Sequence, residues 1–150
     1  MLFLNIYKAN KERLYQTWYN MVSRCHNKSD KQYCDYGAKN IRVCKEWKDS
    51  FQTFAWWSLM NGYTEYLTID RINNSKGYHP SNCRWATPKQ QANNRTNNIL
   101  ITWNGDTKTL MQWSEETGIH RATLRQRIFK LGWPLDIAMT KEPDPGYRIS

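Results

Sequence analysis

The run Thr68 to Arg95, TIDRINNSKGYHPSNCRWATPKQQANNR, holds the residues whose types and spacing could do chemistry. Asp70 supplies a carboxylate, and Gln91 and Asn94 supply side-chain amides. Two strands and a helix that close on one acidic residue are an arrangement able to hold a metal ion such as Mg²⁺ or Mn²⁺ against a phosphate. Gln91, Asn94 and Arg95 are three and four residues apart, so on a helix they share one face and can point together at Asp70. Arg71 follows Asp70 directly. A guanidinium stays protonated at neutral pH, so Arg71 is no general base, but it can clamp a phosphate oxygen and offset charge developing in a transition state. His79 is the nearest side chain able to accept a proton. Its plainer reading is a solvent-exposed loop histidine.

Short elements must position these groups. Leu67 to Asp70 reads as a strand, and Asn82 to Trp85 as a second that returns antiparallel. Between them, Asn73, Asn74, Ser75, Gly77 and Pro80 are turn formers. In Thr87-Pro88-Lys89-Gln90, Thr87 is a good N-cap, Pro88 suits the first helical position, and Gln90 completes a capping box, so a helix starts at Pro88.

This segment resembles the HNH, or ββα-metal (His-Me finger), nuclease family. The lead-in NMVSRCHN…YCDYGAKNIRVCKEW looks like the front half of phage proteins of that type, so the resemblance spans most of the chain. It implies Asp70 as the metal carboxylate, Asn82 as the residue that braces the loop, and Gln91 or Asn94 as the helix ligand. Loop length favours Gln91 and ligand chemistry favours Asn94. Family members usually carry Asp-His at the strand end, where this chain has Asp70-Arg71; members with Asp-Arg need a base from elsewhere. His79, His26 and Tyr36 beside Gly37 are the candidates, or hydroxide forms at the ion without a side-chain base. The implied catalytic set is then Asp70, Arg71, His79, Asn82 and Arg95, with Arg84 and Lys89 gripping the flanking backbone.

The rest of the chain frames this segment. From Asn10 to Cys25, Leu14, Trp18, Met21, Val22 and Cys25 lie on one helical face, with Asn10 as N-cap. Ile41 to Cys44 is a strand candidate, and Phe51, Phe54 and Trp57 mark a core helix stopped by Asn61-Gly62. After Asn98, Asn104-Gly105 predicts a hairpin, Thr109 with Gln112 predicts a capped helix to Thr117, and a second helix follows from Arg121 to Leu131. WNGDTKTLMQWSEETGIHRATLRQRIFKLGW resembles a helix-turn-helix arrangement found at the ends of phage-encoded nucleases and associated DNA-binding proteins. In that reading His120, Arg121, Arg125, Gln126 and Lys130 reach base edges and phosphates. The expected fold class is α+β: a ββα-metal core with flanking helices over residues 1–98, a β-hairpin plus helix-turn-helix unit over 99–141, and a loose tail over 142–150.

A net charge of +9, with eight tryptophans and nine tyrosines, makes nucleic acid the default partner. No apolar run approaches membrane-spanning length and no cleavable leader is evident, so a soluble cytoplasmic protein is expected. The four cysteines lack a Cys-x-x-Cys pair. Buried, unliganded thiols are preferred over a structural Zn²⁺ held by Cys25, Cys44 and Cys83, with His26 as a further candidate ligand. The leading expectation is a metal-dependent DNA endonuclease, a phage-type homing or free-standing HNH enzyme, acting on double-stranded DNA as a monomer that nicks or a homodimer that cuts both strands. The second is a regulator that keeps the scaffold and binds DNA without cleaving it. An RNA-binding protein has no recognisable module behind it.

Overall fold

The computed structural model describes residues 2–142, so the expected tail beyond Glu142 lies outside the described residues. The protein is α+β, built from helices and two separate antiparallel hairpins. It divides into two compact units between Asn94 and Arg95, a few residues before the boundary expected at 98/99.

In the first unit, helix α1 (Leu2–His26) packs on α3 (Phe51–Met60). Leu14, Met21 and Cys25 recur at helical spacing and are fully buried, together with Phe54 and Ala55 of α3 and Trp47 of the short α2 (Lys45–Asp49). Tryptophan rings fill the seam: Trp47 meets Phe54 edge-on at 5.3 Å, and Trp18 donates its indole N–H to the carbonyl of Trp47. Helix α1 begins eight residues before Asn10, because nothing between Leu2 and Ala9 breaks a helix. Asn10 is therefore not a cap, and its side chain bonds back to the Ile6 carbonyl at 2.9 Å. Ser50 caps α3 by accepting from the Thr53 amide. Trp57 is half-buried against the core, whereas Trp56 is 55% exposed.

Ile41 to Cys44 does not form the expected strand; only Val43 makes a parallel bridge to Tyr78. A side chain on Gly77 would put its Cβ 2.2 Å from the Arg42 carbonyl, so this bridge depends on glycine. Strands β1 (Thr68–Arg71) and β2 (Cys83–Ala86) pair antiparallel, with Asp70 opposite Arg84 and Ile69 opposite Trp85. Because alternate residues face opposite sides of a strand, Ile69 and Trp85 enter the core while Asp70 and Arg84 share the other face. Helix α4 (Pro88–Asn93) follows, with both arms of the Thr87–Gln90 capping box formed at 2.9 and 3.2 Å.

In the second unit, β3 (Leu100–Trp103) and β4 (Asp106–Thr109) turn at Asn104-Gly105, both at positive φ as a tight hairpin turn requires. Helix α5 (Leu110–Thr117) carries the Thr109–Gln112 capping box and ends at left-handed Gly118. The turn Gly118 to His120 leads into α6 (Arg121–Arg125), which continues as a π-helical turn to Lys130. A further helix, α7 (Leu135–Thr140), completes the unit. Leu124, Trp113, Ile101 and Met139 form its core. Buried Arg127 closes the end of α7 by donating to the carbonyls of Ala138 and Lys141 at 3.0 and 2.6 Å.

Candidate functional site

Asp70 is 6% exposed, and its carboxylate is met by side chains from two sides. Arg84, its cross-strand partner, donates Nε to Oδ2 at 3.1 Å. Asn94 donates Nδ2 to Oδ1 and Oδ2 at 3.3 and 3.1 Å, and also to the Arg71 carbonyl. Of the two helix amides, it is Asn94 that meets Asp70. Gln91 is exposed and accepts from the Thr68 hydroxyl at 3.3 Å instead. Asn94 sits at the C-cap of α4, with φ of −92°, rather than on a helical face continuing to Arg95. Pro88 starts the helix, but two asparagines at its end let it stop after less than two turns. Arg95 is exposed and opens the second unit.

The loop from Ile72 to Ser81 is fastened at several points. Asn82 is 4% exposed; its Oδ1 accepts from the Asn73 amide at 3.0 Å, and its Nδ2 donates to the carbonyls of Asn73 and Gly77 at 3.1 and 2.9 Å. Asn74 donates to the Asn94 carbonyl, tying the loop to the end of α4.

Arg71, expected as a phosphate clamp, is turned away from the Asp70 carboxylate beside it. It points to the opposite face of β1, is 8% exposed, and donates to the carbonyls of Asn74 and Lys76 at 2.9 and 2.8 Å. Its guanidinium also lies over the rings of Tyr36 and Tyr78, at 5.3 and 5.0 Å. The period of two along a strand forces this: neighbouring side chains cannot both face the site. Arg24 covers the same two rings at 4.5 and 5.2 Å and donates to the Tyr78 hydroxyl at 2.7 Å. Burial pushes the Tyr78 hydroxyl well above its ordinary pKa.

Of the three candidate bases, His79 is half-buried and shares Nδ1 with the Ser81 hydroxyl at 3.0 Å. His26 is taken out of that role: its Nε2 accepts from the Val43 amide at 3.2 Å, so the lone pair is already used. Tyr36 is committed to the arginine stack.

Among the described residues no three His, Cys, Asp or Glu side chains gather to hold a metal. This is the disposition of Cys25, Cys44 and Cys83 as well, all of them free thiols. Burial pushes Cys25 up to about 11 and Cys83 up to about 12, and raises Cys44, so each is protonated at neutral pH. A cation at Asp70 would have one carboxylate and one amide from the protein.

In the second unit, Arg121, Arg125 and Lys130 are exposed along α6 and the turn after it. His120 is the N-cap of α6 and accepts from the Ala122 amide through Nδ1 at 3.3 Å. Arg121 and Arg125 border a groove of about 340 Å³ whose other walls include Asn97, Asn98 and Met111. Sequence reasoning misses those three, since the chain brings them to the arginines only when the β3–β4 hairpin folds back. Lys89 is exposed on α4. No helix among the described residues is long and apolar enough to cross a membrane.

Compared with known protein families, curated proteins and solved structures, the chain finds no match in any of the three.

Proposed function

We propose that this protein is a metal-dependent DNA endonuclease of the HNH type, with its active site at Asp70. The observation that carries this reading is a nearly buried carboxylate, fixed on a hairpin and met by a side-chain amide from the following helix, in a chain of net charge +9. A carboxylate and an amide are hard oxygen donors, so the pair suits Mg²⁺ or Mn²⁺ with phosphate oxygens and water completing the shell. Such an ion would supply Lewis-acid stabilisation to a scissile phosphate and to the leaving 3′ oxygen.

The protein's own groups do the rest. Asp70 would hold the cation, and Asn94, whose Nδ2 now donates to that carboxylate and to the Arg71 carbonyl, would have to release those bonds to offer its amide oxygen. Asn82 and Arg71 keep the loop that carries His79 in place. In the tautomer that donates Nδ1–H to Ser81, His79 would keep a lone pair on Nε2 to take a proton from the attacking water. Arg84 and Lys89 contact phosphates beside the site, and Arg121, Arg125, Gln126, Lys130 and His120 engage the duplex from the second unit.

Supercoiled plasmid incubated with Mg²⁺ or Mn²⁺ tests this. Wild type should nick or linearise it, and Asp70→Ala should not. Equal cutting by both would refute the site, and no cutting of plasmid or phage DNA by wild type would refute the activity. A second reading, a DNA-binding regulator without cleavage, is favoured by one observation: Arg84 and Asn94 already satisfy Asp70, as in a structural ion pair. Wild type that binds duplex tightly and leaves plasmid intact would support it.

A further inference from the structure

We propose that Arg84 makes metal binding at Asp70 conditional on DNA: it occupies the carboxylate in the free protein and is drawn off by a DNA phosphate. This rests on the Asp70 site proposed above. The hairpin register sets Arg84 directly opposite Asp70, so the backbone ladder delivers the guanidinium to the carboxylate. The two partners differ in freedom. The Asp70 side chain is 6% exposed and cannot leave, whereas that of Arg84 is 43% exposed and can swing on its long stem into solvent.

The competition follows from lone pairs and charge. Oδ2 of Asp70 already takes Nε of Arg84 and Nδ2 of Asn94, both at 3.1 Å, and Oδ1 takes Nδ2 at 3.3 Å. A divalent cation needs those same lone pairs and is repelled by the guanidinium beside them. The contact to Asp70 uses Nε alone, one of five N–H donors, whereas a phosphodiester accepts from a guanidinium fork in pairs. A backbone phosphate next to β2 therefore offers Arg84 a better partner than Asp70 does. Once Arg84 moves, the carboxylate faces the phosphate with no counter-charge, and a cation of charge +2 balances both. By linkage the coupling is reciprocal: DNA tightens metal binding, and metal tightens DNA binding. The free protein keeps a low affinity for the ion, which limits cutting to engaged DNA.

Mn²⁺ binding to the full chain, read from the loss of the free-ion electron paramagnetic resonance signal, tests this at low salt with and without a short duplex. Wild type should bind Mn²⁺ weakly alone and about tenfold more tightly with duplex, within the usual range of coupling between sites. Arg84→Gln should bind Mn²⁺ without DNA about tenfold more tightly than wild type and gain less from duplex than wild type does, keeping only the gain that phosphate oxygens on the ion supply. Arg84→Lys, which keeps the charge but loses the fork, should stay near wild type without DNA and respond less to it. If Arg84→Gln matches wild type with and without duplex while Asp70→Asn abolishes binding, the coupling is refuted and the Asp70 site survives. If no sample shows Mn²⁺ binding that depends on Asp70, both are refuted.

Discussion

Replacing Arg71 with methionine separates two roles that the sequence alone leaves entangled. The substitution keeps an apolar stem of similar length and removes the guanidinium. In the structure that group donates to two loop carbonyls, at 2.9 and 2.8 Å, and lies over two tyrosine rings. Hydrogen bonds from a charged donor contribute roughly 1.5–3 kcal/mol each, and desolvated cation–π contacts add about 1–2 kcal/mol. Relief of guanidinium desolvation offsets part of this, since no carboxylate partners Arg71 among the described residues. With desolvation relief of several kcal/mol set against a gross loss of about 5–10 kcal/mol, the net loss is about 3 kcal/mol, which for a unit of this size lowers the melting temperature by roughly 12–24 °C. Thermal or urea denaturation measures that loss. Duplex affinity as a function of salt, measured where the variant remains folded, supplies the contrast: its slope should not change. A phosphate clamp behaves in the opposite way, leaving stability within about 0.5 kcal/mol and reducing the slope by about 0.9. Wild-type stability together with a reduced slope would refute the structural role of Arg71.

Asn82→Ala strips three hydrogen bonds from a residue that is 4% exposed, and should cost about 2–4 kcal/mol by urea denaturation with plasmid cutting lost as well. Gly77→Ala forces a Cβ onto the Arg42 carbonyl, and should lose the Val43–Tyr78 bridge, seen as faster amide exchange at Tyr78. His26 has its pKa lowered in the fold, by burial first and then by Lys48 and Arg42, so the unfolded chain binds its proton more readily. Its contribution to stability is complete above about pH 6.5 and declines as pH falls from there through the folded value. Denaturation midpoints for wild type and His26→Gln between pH 5 and pH 7.5 should show a shallower decline in the variant.

What is legible in the sequence is mostly local. The capping boxes at Thr87–Gln90 and Thr109–Gln112, the Asn104-Gly105 turn and the Leu14–Met21–Cys25 stripe each rest on interactions within a few residues, and the structure contains all of them. Pairing of Asp70 with Arg84 is not evident from the sequence, because register is fixed only when Ile69 and Trp85 enter the core together. The direction of Arg71 is readable in principle from the strand period, but the neighbouring Asp70 suggests a shared site. Helices α2 and α7 have five and six residues, too few for a periodic pattern, and hold their shape through Trp47 and Met139 in the two cores. Asn94 rather than Gln91 meets Asp70 because α4 ends at Asn93, and helix ends are set by competing local bonds.

If Asp70 is the group that makes this protein a nuclease, the rate of strand cleavage per bound complex tests it most directly. Asp70→Asn keeps the size and removes the charge, so duplex affinity measured in EDTA should remain within about threefold of wild type, an energy difference below about 1 kcal/mol. Under single-turnover conditions with Mg²⁺ and saturating protein, wild type should cleave and the variant should lose at least about a hundredfold in rate, the scale of removing a group that acts only in the transition state. Wild-type cleavage rates in Asp70→Asn, with equal binding, would contradict a catalytic role for Asp70.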